Sequence, residues 1–467
     1  MFKKLMKIQF TDKNVTMLSL FITSSYVFVL IACSSYVFNE SDLAVWFSLL
    51  FLLNIKNFLD FGLSNNILRS AAELNSGLPK ISEFKLSQTH LLKIKDKNLI
   101  KKNLCNLYKN IKLYRIIQFA IFLFPFFFIV KFFFTERLLN VFEYSEINLI
   151  YSFVFLSLFF SISSMNSMNF RIGIGNLCKA RLLEIYSNLT RMILLSMVIL
   201  IFKNIYLFVI LFLILDIIYF IFNDINLKKE INYSKYCSDL SLRIGFTRLL
   251  PNLSISGINS ISAFFLFQFL NLILIKFGTN KDIISYSIIS RFVIIFKTIS
   301  FSSISSSLMR YANNRVNNKT LNKTLFFSDL KFCLKLYVSF SLAFLLIIIF
   351  IKNINYYNFL NLEFYLFPLE LIIFYLIINL FELHQSCHNQ FLLTKNYNPF
   401  LITSVVSSSL IAIFSYIIFP IYGFVGAFLV QFIIQLCINH WYSVFLNRND
   451  LGYTLKNYLK NLVYFKL

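Results

Sequence analysis

Apolar runs of about 20 residues recur from one end of this chain to the other. A helix rises about 1.5 Å per residue, so each run is long enough to cross a hydrocarbon core of about 30 Å. Lipid offers no hydrogen bonds to a backbone, which leaves helices and closed barrels as the possible spanning structures. The runs are continuously apolar rather than alternating, and this favours helices. The sequence therefore predicts an all-α polytopic membrane protein.

Twelve transmembrane helices are predicted, with two groups of six arranged as two lobes around a central cavity. Their approximate ranges are 15–37, 43–62, 116–134, 147–170, 185–202, 205–222, 253–276, 283–308, 332–351, 364–386, 400–419 and 422–446. Lys and Arg favour the cytoplasmic side of a membrane. A cytoplasmic N-terminus places 35 of the 44 Lys and Arg on or near that side, so both termini are predicted to be cytoplasmic.

The predicted domains follow this count. Residues 1–227 form an N-terminal lobe with a basic cytoplasmic loop at 69–112, which is expected to hold surface helices on the inner leaflet. Residues 228–249 form a cytoplasmic linker, and residues 250–467 form a C-terminal lobe with a short basic tail.

A weak internal repeat supports the two lobes. The segments FNESDLAVW and FGTNKDIISY each reach an acid, Asp42 or Asp282, and these acids are 240 residues apart. An aromatic residue follows each acid four positions later, at Trp46 and Tyr286. Parallel repeats of this kind occur in transporters. Chance similarity between two short segments is the alternative.

The net charge of +23 would suggest a nucleic-acid partner in a soluble protein. Here the basic residues follow the predicted topology, so anionic lipid is a sufficient partner and no nucleic acid is expected. The predicted outer loops reach only about a dozen residues, which leaves no room for an outer catalytic domain. The sequence contains no phosphate-binding loop, HExxH segment or dinucleotide fingerprint. We therefore predict a protein that is not an enzyme and holds no cofactor.

Six of the ionisable residues inside the predicted spans are candidates for function, because a charge at the helix centre costs about 3 kcal/mol on insertion scales. Such residues usually face a protein interior or a watery cavity, and transporters place substrate and coupling ions near mid-membrane. The six are Lys56, Asp60, Asp216, Arg291, Lys297 and Glu370.

The cations are candidates for substrate binding. Lys56 lies four residues before Asp60, so the two either neutralise each other on one helical face or Lys56 serves a cavity. Arg291 has no acid four residues away and is the stronger ligand candidate. Lys297 is a further candidate, with pairing to another span as the alternative.

The acids are candidates for ion coupling. Asp216 is a lone carboxylate in LFLILDIIYF, and a protonatable buried acid is what proton coupling requires. The alternative is a structural acid held by hydrogen bonds or by a lysine. Glu370, two residues after Pro368, and Asp60 are the other two candidates, although Glu370 lies at a shallow depth where water can solvate it.

A metal site is the less favoured interpretation of His384, Cys387 and His388. These residues share one helical face with Glu382 close by, a spacing that can ligate a metal. Nothing elsewhere in the sequence supplies a matching cluster. We therefore predict packing at the inner end of a span and no metal.

Three stretches carry a family resemblance. VWFSLLFLLNIKNFLDFGLSNNILRSAAE at 45–73 has an Asp-aromatic-Gly-Leu turn followed by Arg and Ala-Ala-Glu. HQSCHNQFLLTKNYNPFLITSVVSSSLIAIFSYIIFPIYGFVGAFLV at 384–430 leads into a span and then to Pro, Tyr-Gly and Gly-Ala. With FLNLILIKFGTNKDIISYSIISR at 269–291, they resemble spans two, eleven to twelve and seven to eight of bacterial O-antigen flippases of the Wzx type.

This resemblance implies a multidrug/oligosaccharidyl-lipid/polysaccharide exporter fold in the bacterial inner membrane. It implies movement of undecaprenyl-pyrophosphate-linked sugar repeat units to the outer leaflet by an ion-coupled antiporter, with cations such as Lys56 and Arg291 lining the cavity. The polysaccharide polymerase and the chain-length regulator are the protein partners it suggests. A polymerase or glycosyltransferase of the same pathway, and a cation-coupled multidrug exporter, are the alternatives.

Overall fold

A computed structural model describes residues 12–60, 62–76, 96–120, 124–236, 257–317, 319–353, 367–393, 400–454 and 458. Within these ranges the regular elements are helices. Contacts divide the chain into two compact units, Met1–Ile283 and Ile284–Leu467, which we call unit 1 and unit 2. The prediction of an all-α membrane protein agrees with this architecture.

Unit 1 contains twelve helices within its described residues. They are α1 (Asp12–Val37), α2 (Glu40–Asn54), α3 (Lys56–Leu59), α4 (Leu63–Asn75), α5 (Lys97–Gln118), α6 (Phe124–Leu138), α7 (Tyr144–Gly173), α8 (Leu177–Met197), α9 (Ile205–Glu230), α10 (Tyr233–Tyr236), α11 (Gly257–Phe267) and α12 (Phe269–Phe277). A π-helical turn, Val198–Phe202, extends α8.

Side-chain hydrogen bonds fix the running directions within unit 1. Ser19 donates to Glu184 at 2.6 Å and Asn188 donates to Thr23 at 2.7 Å, so α1 and α8 run parallel. On α5, Cys105 contacts Ile231 O at 3.9 Å and Tyr108 bonds to Asp224, so α5 and α9 run antiparallel. These directions agree with the predicted alternation of spans.

The predicted basic loop at 69–112 is partly a packed helix. Residues 97–112 belong to α5, whose buried face contains Leu104, Tyr108 and Ile111 and joins a core that includes Phe170 and Leu227. The spacing of these residues places them on one face of the helix, and this face packs on α7 and α9 rather than on lipid. Residues 77–95 of the loop lie outside the described residues.

The last helices of unit 1 explain why it extends to Ile283. α11 and α12 meet at a 46° bend and pack on α6, with ring contacts such as Phe126 to Phe264 at 6.2 Å. Arg137 at the end of α6 donates to Asn280 Oδ1 at 2.6 Å and to the carbonyl oxygen of Gly278. Burial lowers the pKa of Arg137 from its usual value. The arginine thus satisfies a carbonyl beyond the end of α12.

The helices of unit 2 are α13 (Asn280–Asn317), α14 (Lys319–Asn353), α15 (Leu369–Leu393), α16 (Leu401–Ile434) and α17 (Trp441–Leu451). The first four residues of α13, up to Ile283, still belong to unit 1. A π-helical turn, Gln435–His440, joins α16 to α17. Ring contacts from Phe292 to Phe344 and from Phe296 to Phe340 make α13 and α14 antiparallel.

A hairpin divides α16. Gly423 adopts φ 56° and ψ −142°, three residues after Pro420, and this left-handed region favours glycine. Asn439 donates to Ser407 at 2.7 Å, although a straight helix would hold them about 48 Å apart. The chain therefore reverses near Gly423, where the sequence predicts the turn between spans eleven and twelve.

Eight helices in the described ranges are long and apolar enough to cross a membrane, or nine if α11 and α12 form one bent span. One of the eight is the 48-residue stretch Leu401–Arg448, which contains the hairpin. α2 and α6, with 15 described residues each, fall below the length that this count requires. The total of twelve and the position of the termini stay predictions. Residues 237–249 of the predicted linker lie outside the described residues.

The two copies of the predicted repeat have similar helix starts. Asn39 precedes α2 and accepts the N–H of Asp42 at 2.8 Å, while the Thr279 hydroxyl accepts the N–H of Asp282 at 3.2 Å. The aromatic residue that follows is buried in both copies. Trp46 packs on Phe208 at 5.9 Å, and Tyr286 packs on Phe424 at 5.9 Å.

Candidate functional site

A buried ion pair lies at the centre of the polar cluster in unit 1. Arg191 on α8 binds Asp216 on α9, and their side chains are 7% and 0% exposed. Ser157 on α7 donates to the second carboxylate oxygen. The Arg191 guanidinium also lies over the rings of Phe212 and Tyr219, at 5.6 and 5.5 Å. Asp216 is therefore held by an arginine and a serine, which matches the structural alternative except that the partner is not a lysine.

Lys56 belongs to the same cluster. Its ammonium donates to Ser161 on α7 at 3.0 Å and interacts electrostatically with Arg191, Asp216 and Glu184. No ion pair between Lys56 and Asp60 occurs among the described residues. The helix turns between them do not bring the two charges together, because Lys56 is directed towards α7.

Asp60 has a local structural contact. One carboxylate oxygen accepts the N–H of Ser64 at 2.8 Å at the start of α4. The other oxygen is buried and has no hydrogen-bond partner within the described part of the chain. Arg115 interacts electrostatically with Asp60 but donates to Ser167 at 2.8 Å. A buried acid with one unfilled oxygen is a suitable position for a proton.

Unit 2 has its own polar cluster around Glu382 on α15. Lys297 on α13 binds Glu382 at 2.7 Å and Asn379 at 3.0 Å. The second carboxylate oxygen of Glu382 accepts from Gln431 at 2.7 Å and Gln435 at 2.8 Å. Three helical segments thus meet at one carboxylate. Lys297 therefore pairs with another span. This was the alternative to its use as a substrate contact.

The two remaining predicted residues occupy different environments. Arg291 is partly buried on α13 and interacts electrostatically with Tyr286 and Tyr375. Glu370 is exposed in the first turn of α15, at a helix end rather than in the core. Among the described residues no group of three or more His, Cys, Asp or Glu is placed to hold a metal.

A groove runs beside the unit 1 cluster. Its volume is about 330 Å³, and it lies between α8 and α9 with Arg191 at one side. Apart from Arg191, its lining is hydrophobic or carries hydroxyl groups. The four hydroxyl side chains are Tyr186, Ser187, Thr190 and Tyr219, and the hydrophobic ones include Leu215, Ile218 and Phe222.

Sequence reasoning missed two central residues. Arg191 lies inside the predicted span 185–202 but was not chosen as a candidate, and the structure places it more than three turns inside α8. Glu382 was considered only as a neighbour of the histidines. The useful signal for Arg191 is its position six residues inside the predicted span 185–202. No comparable signal identifies Glu382 as the partner of Lys297, because the two are 85 positions apart.

Each cluster carries more positive than negative formal charge in its described residues. The unit 1 cluster has Lys56, Arg191 and Arg181 against Asp216 and Glu184, where Arg181 and Glu184 lie 2.7 Å apart. In unit 2, Lys297 and Arg291 stand against Glu382. A net positive interior favours an anionic ligand over a cationic one.

No protein-family model and no curated protein matches this sequence. Solved structures do match its fold. The lipid II flippase MurJ in its inward closed conformation has 16% identity and a TM-score of 0.63, over 96% of this chain and 89% of that one. A MATE structure in complex with MaD3S has 12% identity and a TM-score of 0.60, over 94% of each chain. A MOP superfamily transporter from Pyrococcus furiosus has 14% identity and a TM-score of 0.57, over 95% of each chain.

The chain therefore has the fold of these membrane transporters, at identities that establish the fold alone. With its candidate spans, it is a multi-pass membrane protein. The fold is shared by a lipid II flippase and by MATE proteins, so the substrate has to be argued from the side chains.

Proposed function

We propose that the protein is a flippase for undecaprenyl-pyrophosphate-linked polysaccharide repeat units in the bacterial inner membrane. It works by alternating access and is coupled to an ion gradient. The observation that supports this proposal most directly is the net positive charge of the buried clusters in a fold that a lipid II flippase also has. A pyrophosphate is an anionic oxygen ligand that buried Lys and Arg side chains suit.

The proposed roles follow the environments of the residues. Lys56 and Arg291 are substrate contacts, each within its own unit, and Lys297 becomes one when its pair with Glu382 opens. Asp60 is the favoured coupling acid in unit 1, because one of its oxygens is unfilled in the described part of the chain. Asp216 is a weaker coupling candidate, since Arg191 and Ser157 hold it, and Glu370 is weaker still because it is exposed.

A cation-coupled multidrug exporter is the second candidate, because MATE structures have nearly the same TM-scores as MurJ. The charge of the described clusters argues against cationic drugs. A polymerase or glycosyltransferase of the same pathway would need catalytic residues on the outer face, and the predicted outer loops are short.

Deletion of the gene in its host tests the function. A flippase defect leaves single lipid-linked repeat units on the inner leaflet, which can be identified by extraction and by labelling from one side. Unpolymerised units on the outer leaflet would instead support the polymerase. Normal lipid-linked sugars with increased drug sensitivity would support the exporter.

Arg291 tests the proposed site. We expect Arg291→Ala to reduce translocation by tenfold or more and Arg291→Lys to retain part of it, since lysine keeps the charge but loses the bidentate geometry. Full translocation by the alanine variant, at normal protein level, would remove Arg291 from the mechanism.

A further inference from the structure

Three of the four histidines of the sequence lie in one buried cluster of unit 2 that the proposed function does not use. His384 and His388 are one turn apart on α15, and His440 ends the π-helical turn before α17. They are 7%, 0% and 4% exposed. The ring centroid of His384 lies 4.9 Å from that of His388 and 4.9 Å from that of His440.

Tyr458 links two of these rings. Its hydroxyl bonds with Nε2 of His384 and, at 2.7 Å, with Nε2 of His388. Asn447 donates to Nδ1 of His388 at 2.8 Å. A ring nitrogen that accepts a hydrogen bond carries no proton, so His388 carries its proton on Nε2 and donates to the Tyr458 hydroxyl. The hydroxyl then donates to His384, which makes a continuous chain of hydrogen bonds.

Two nitrogens at the far end of this chain are unfilled. Nδ1 of His384 and Nδ1 of His440 are buried, and neither has a hydrogen-bond partner within the described part of the protein. Because Nε2 of His384 accepts from Tyr458, its own proton is on Nδ1, next to the ring of His440. Buried polar atoms without partners are rare and call for an explanation. Two adjacent basic rings with unfilled nitrogens are suited to sharing a proton.

The cluster reaches the carboxylate that holds Lys297. His440, Glu382 and Gln435 line one cavity of about 10 Å³, which is room for about one water. The Oε2 atom of Glu382 binds Lys297 at 2.7 Å. Hydrogen bonds thus connect His388, Tyr458 and His384, while a ring contact leads from His384 to His440 and a shared cavity from His440 to Glu382.

We propose that His384, His388, His440 and Tyr458 form a proton relay that exchanges a proton with Glu382 and so decides whether Lys297 is free to bind an anion. A proton from solution enters at Nδ1 of His388 as the Asn447 amide turns away, and the Nε2 proton of His388 passes through the Tyr458 hydroxyl to Nε2 of His384. The Nδ1 proton of His384 then passes to Nδ1 of His440, and the other ring nitrogen of His440 gives its proton, through a water in the shared cavity, to a carboxylate oxygen of Glu382. Each transfer moves one proton between a nitrogen and an oxygen or between two nitrogens. A neutral Glu382 no longer holds the Lys297 ammonium, which then takes a phosphate oxygen. The inference rests on the proposed function, because Lys297 is one of the proposed substrate contacts.

Other titratable groups surround the relay. Lys297 and Arg291 come from α13, and Tyr286 and Tyr375 each interact electrostatically with both Arg291 and Glu382. Further titratable groups come from the helices that pack on this region and lie near the histidines, near Glu382 or near their neighbours. They are Tyr311, Asp329, Cys333, Tyr337, Cys387 and Tyr453.

The test uses the full-length protein and farnesyl diphospho-N-acetylglucosamine, a probe whose two phosphates keep fixed charges between pH 6 and 8. Binding linked to uptake of one proton changes Kd about tenfold per pH unit, with tighter binding at lower pH. We expect this slope in the wild type and its loss in Glu382→Gln. A slope that survives in Glu382→Gln would overturn the proposal.

The histidines are tested by rate rather than by equilibrium. His384→Gln and His440→Gln are expected to slow probe-linked proton uptake, followed with a pH indicator, by tenfold or more, while the slope of Kd with pH is kept. A packing role would not separate the rate from the slope in this way. His90→Gln, which replaces the fourth histidine, is the control and should change neither. Unchanged uptake rates in both cluster variants would contradict the relay.

A second measurement separates the relay from the proposed function. If the wild type binds no probe at any pH, the proposed function fails, and the relay is then judged by nitrogen NMR of histidine-labelled protein. Tyr458→Phe removes the shared hydroxyl, so the ring-nitrogen signals of His384 and His388 should both shift. No shift in either signal would overturn the relay.

Discussion

Lys56 in unit 1 and Lys297 in unit 2 are 241 residues apart, close to the 240-residue offset of the internal repeat. Both donate to the helix that begins two predicted spans later, Lys56 to Ser161 on α7 and Lys297 to Glu382 on α15. The acceptors differ in charge. A serine leaves the Lys56 charge in place, whereas the Glu382 carboxylate neutralises Lys297.

The acid of each cluster also lies on a different helix. Unit 1 carries it on α9 as Asp216, where Arg191 from α8 binds it. Unit 2 carries it on α15 as Glu382, and α16 and the π-helical turn that follows it supply Gln431 and Gln435 as donors. One framework of helices therefore holds a fixed ion pair in unit 1 and an ion pair that includes the candidate substrate lysine in unit 2. Only the second arrangement makes the availability of a cation depend on a proton.

The largest expected effect is at Arg191. Arg191→Leu leaves the buried Asp216 with Ser157 alone, and breaking a buried pair in this way costs about 3–5 kcal/mol. The double variant Arg191→Leu/Asp216→Leu removes both charges and should cost less than the single variant. Unfolding in detergent measures both, and an equal loss in the two variants would show that charge pairing is not what Arg191 contributes.

A matched pair of lysine variants measures the next difference. Lys297→Met leaves Glu382 with two amide donors, so we expect a loss of about 1–3 kcal/mol, while Lys56→Met loses one bond to a hydroxyl and about 1 kcal/mol. The same unfolding assay compares them. A larger loss of stability from Lys56→Met than from Lys297→Met would contradict the assignment of the ion pair to Lys297 and of the weaker serine contact to Lys56. Both variants should lower translocation, which separates their role in binding from their role in stability.

The helix starts of the repeat give the smallest effect. Asn39→Ala and Thr279→Ala each remove a side-chain acceptor for the N–H of an aspartate, which costs about 1 kcal/mol at a helix N-cap. Similar losses in the two variants would sharpen the comparison by showing that the repeat copies act alike. A loss confined to one of them would mean that the shared capping pattern has no common energetic role.

The sequence by itself determined the helical membrane architecture, because continuous apolar runs leave few other ways to satisfy a backbone in lipid. It also predicted a turn between residues 419 and 422, next to the hairpin at Gly423, and a buried carboxylate at Asp216. These features depend on local composition and on burial, which a sequence pattern records.

Only the tertiary structure decided the partners. Asp216 forms an ion pair with Arg191, and Lys297 forms one with Glu382. Lys56 donates to a serine instead of pairing with Asp60. The three histidines and Tyr458 meet although Tyr458 is 70 positions from His388. Pairing of this kind depends on which faces of distant helices are in contact. A charge in a membrane span therefore indicates that a partner is needed, but not which residue supplies it.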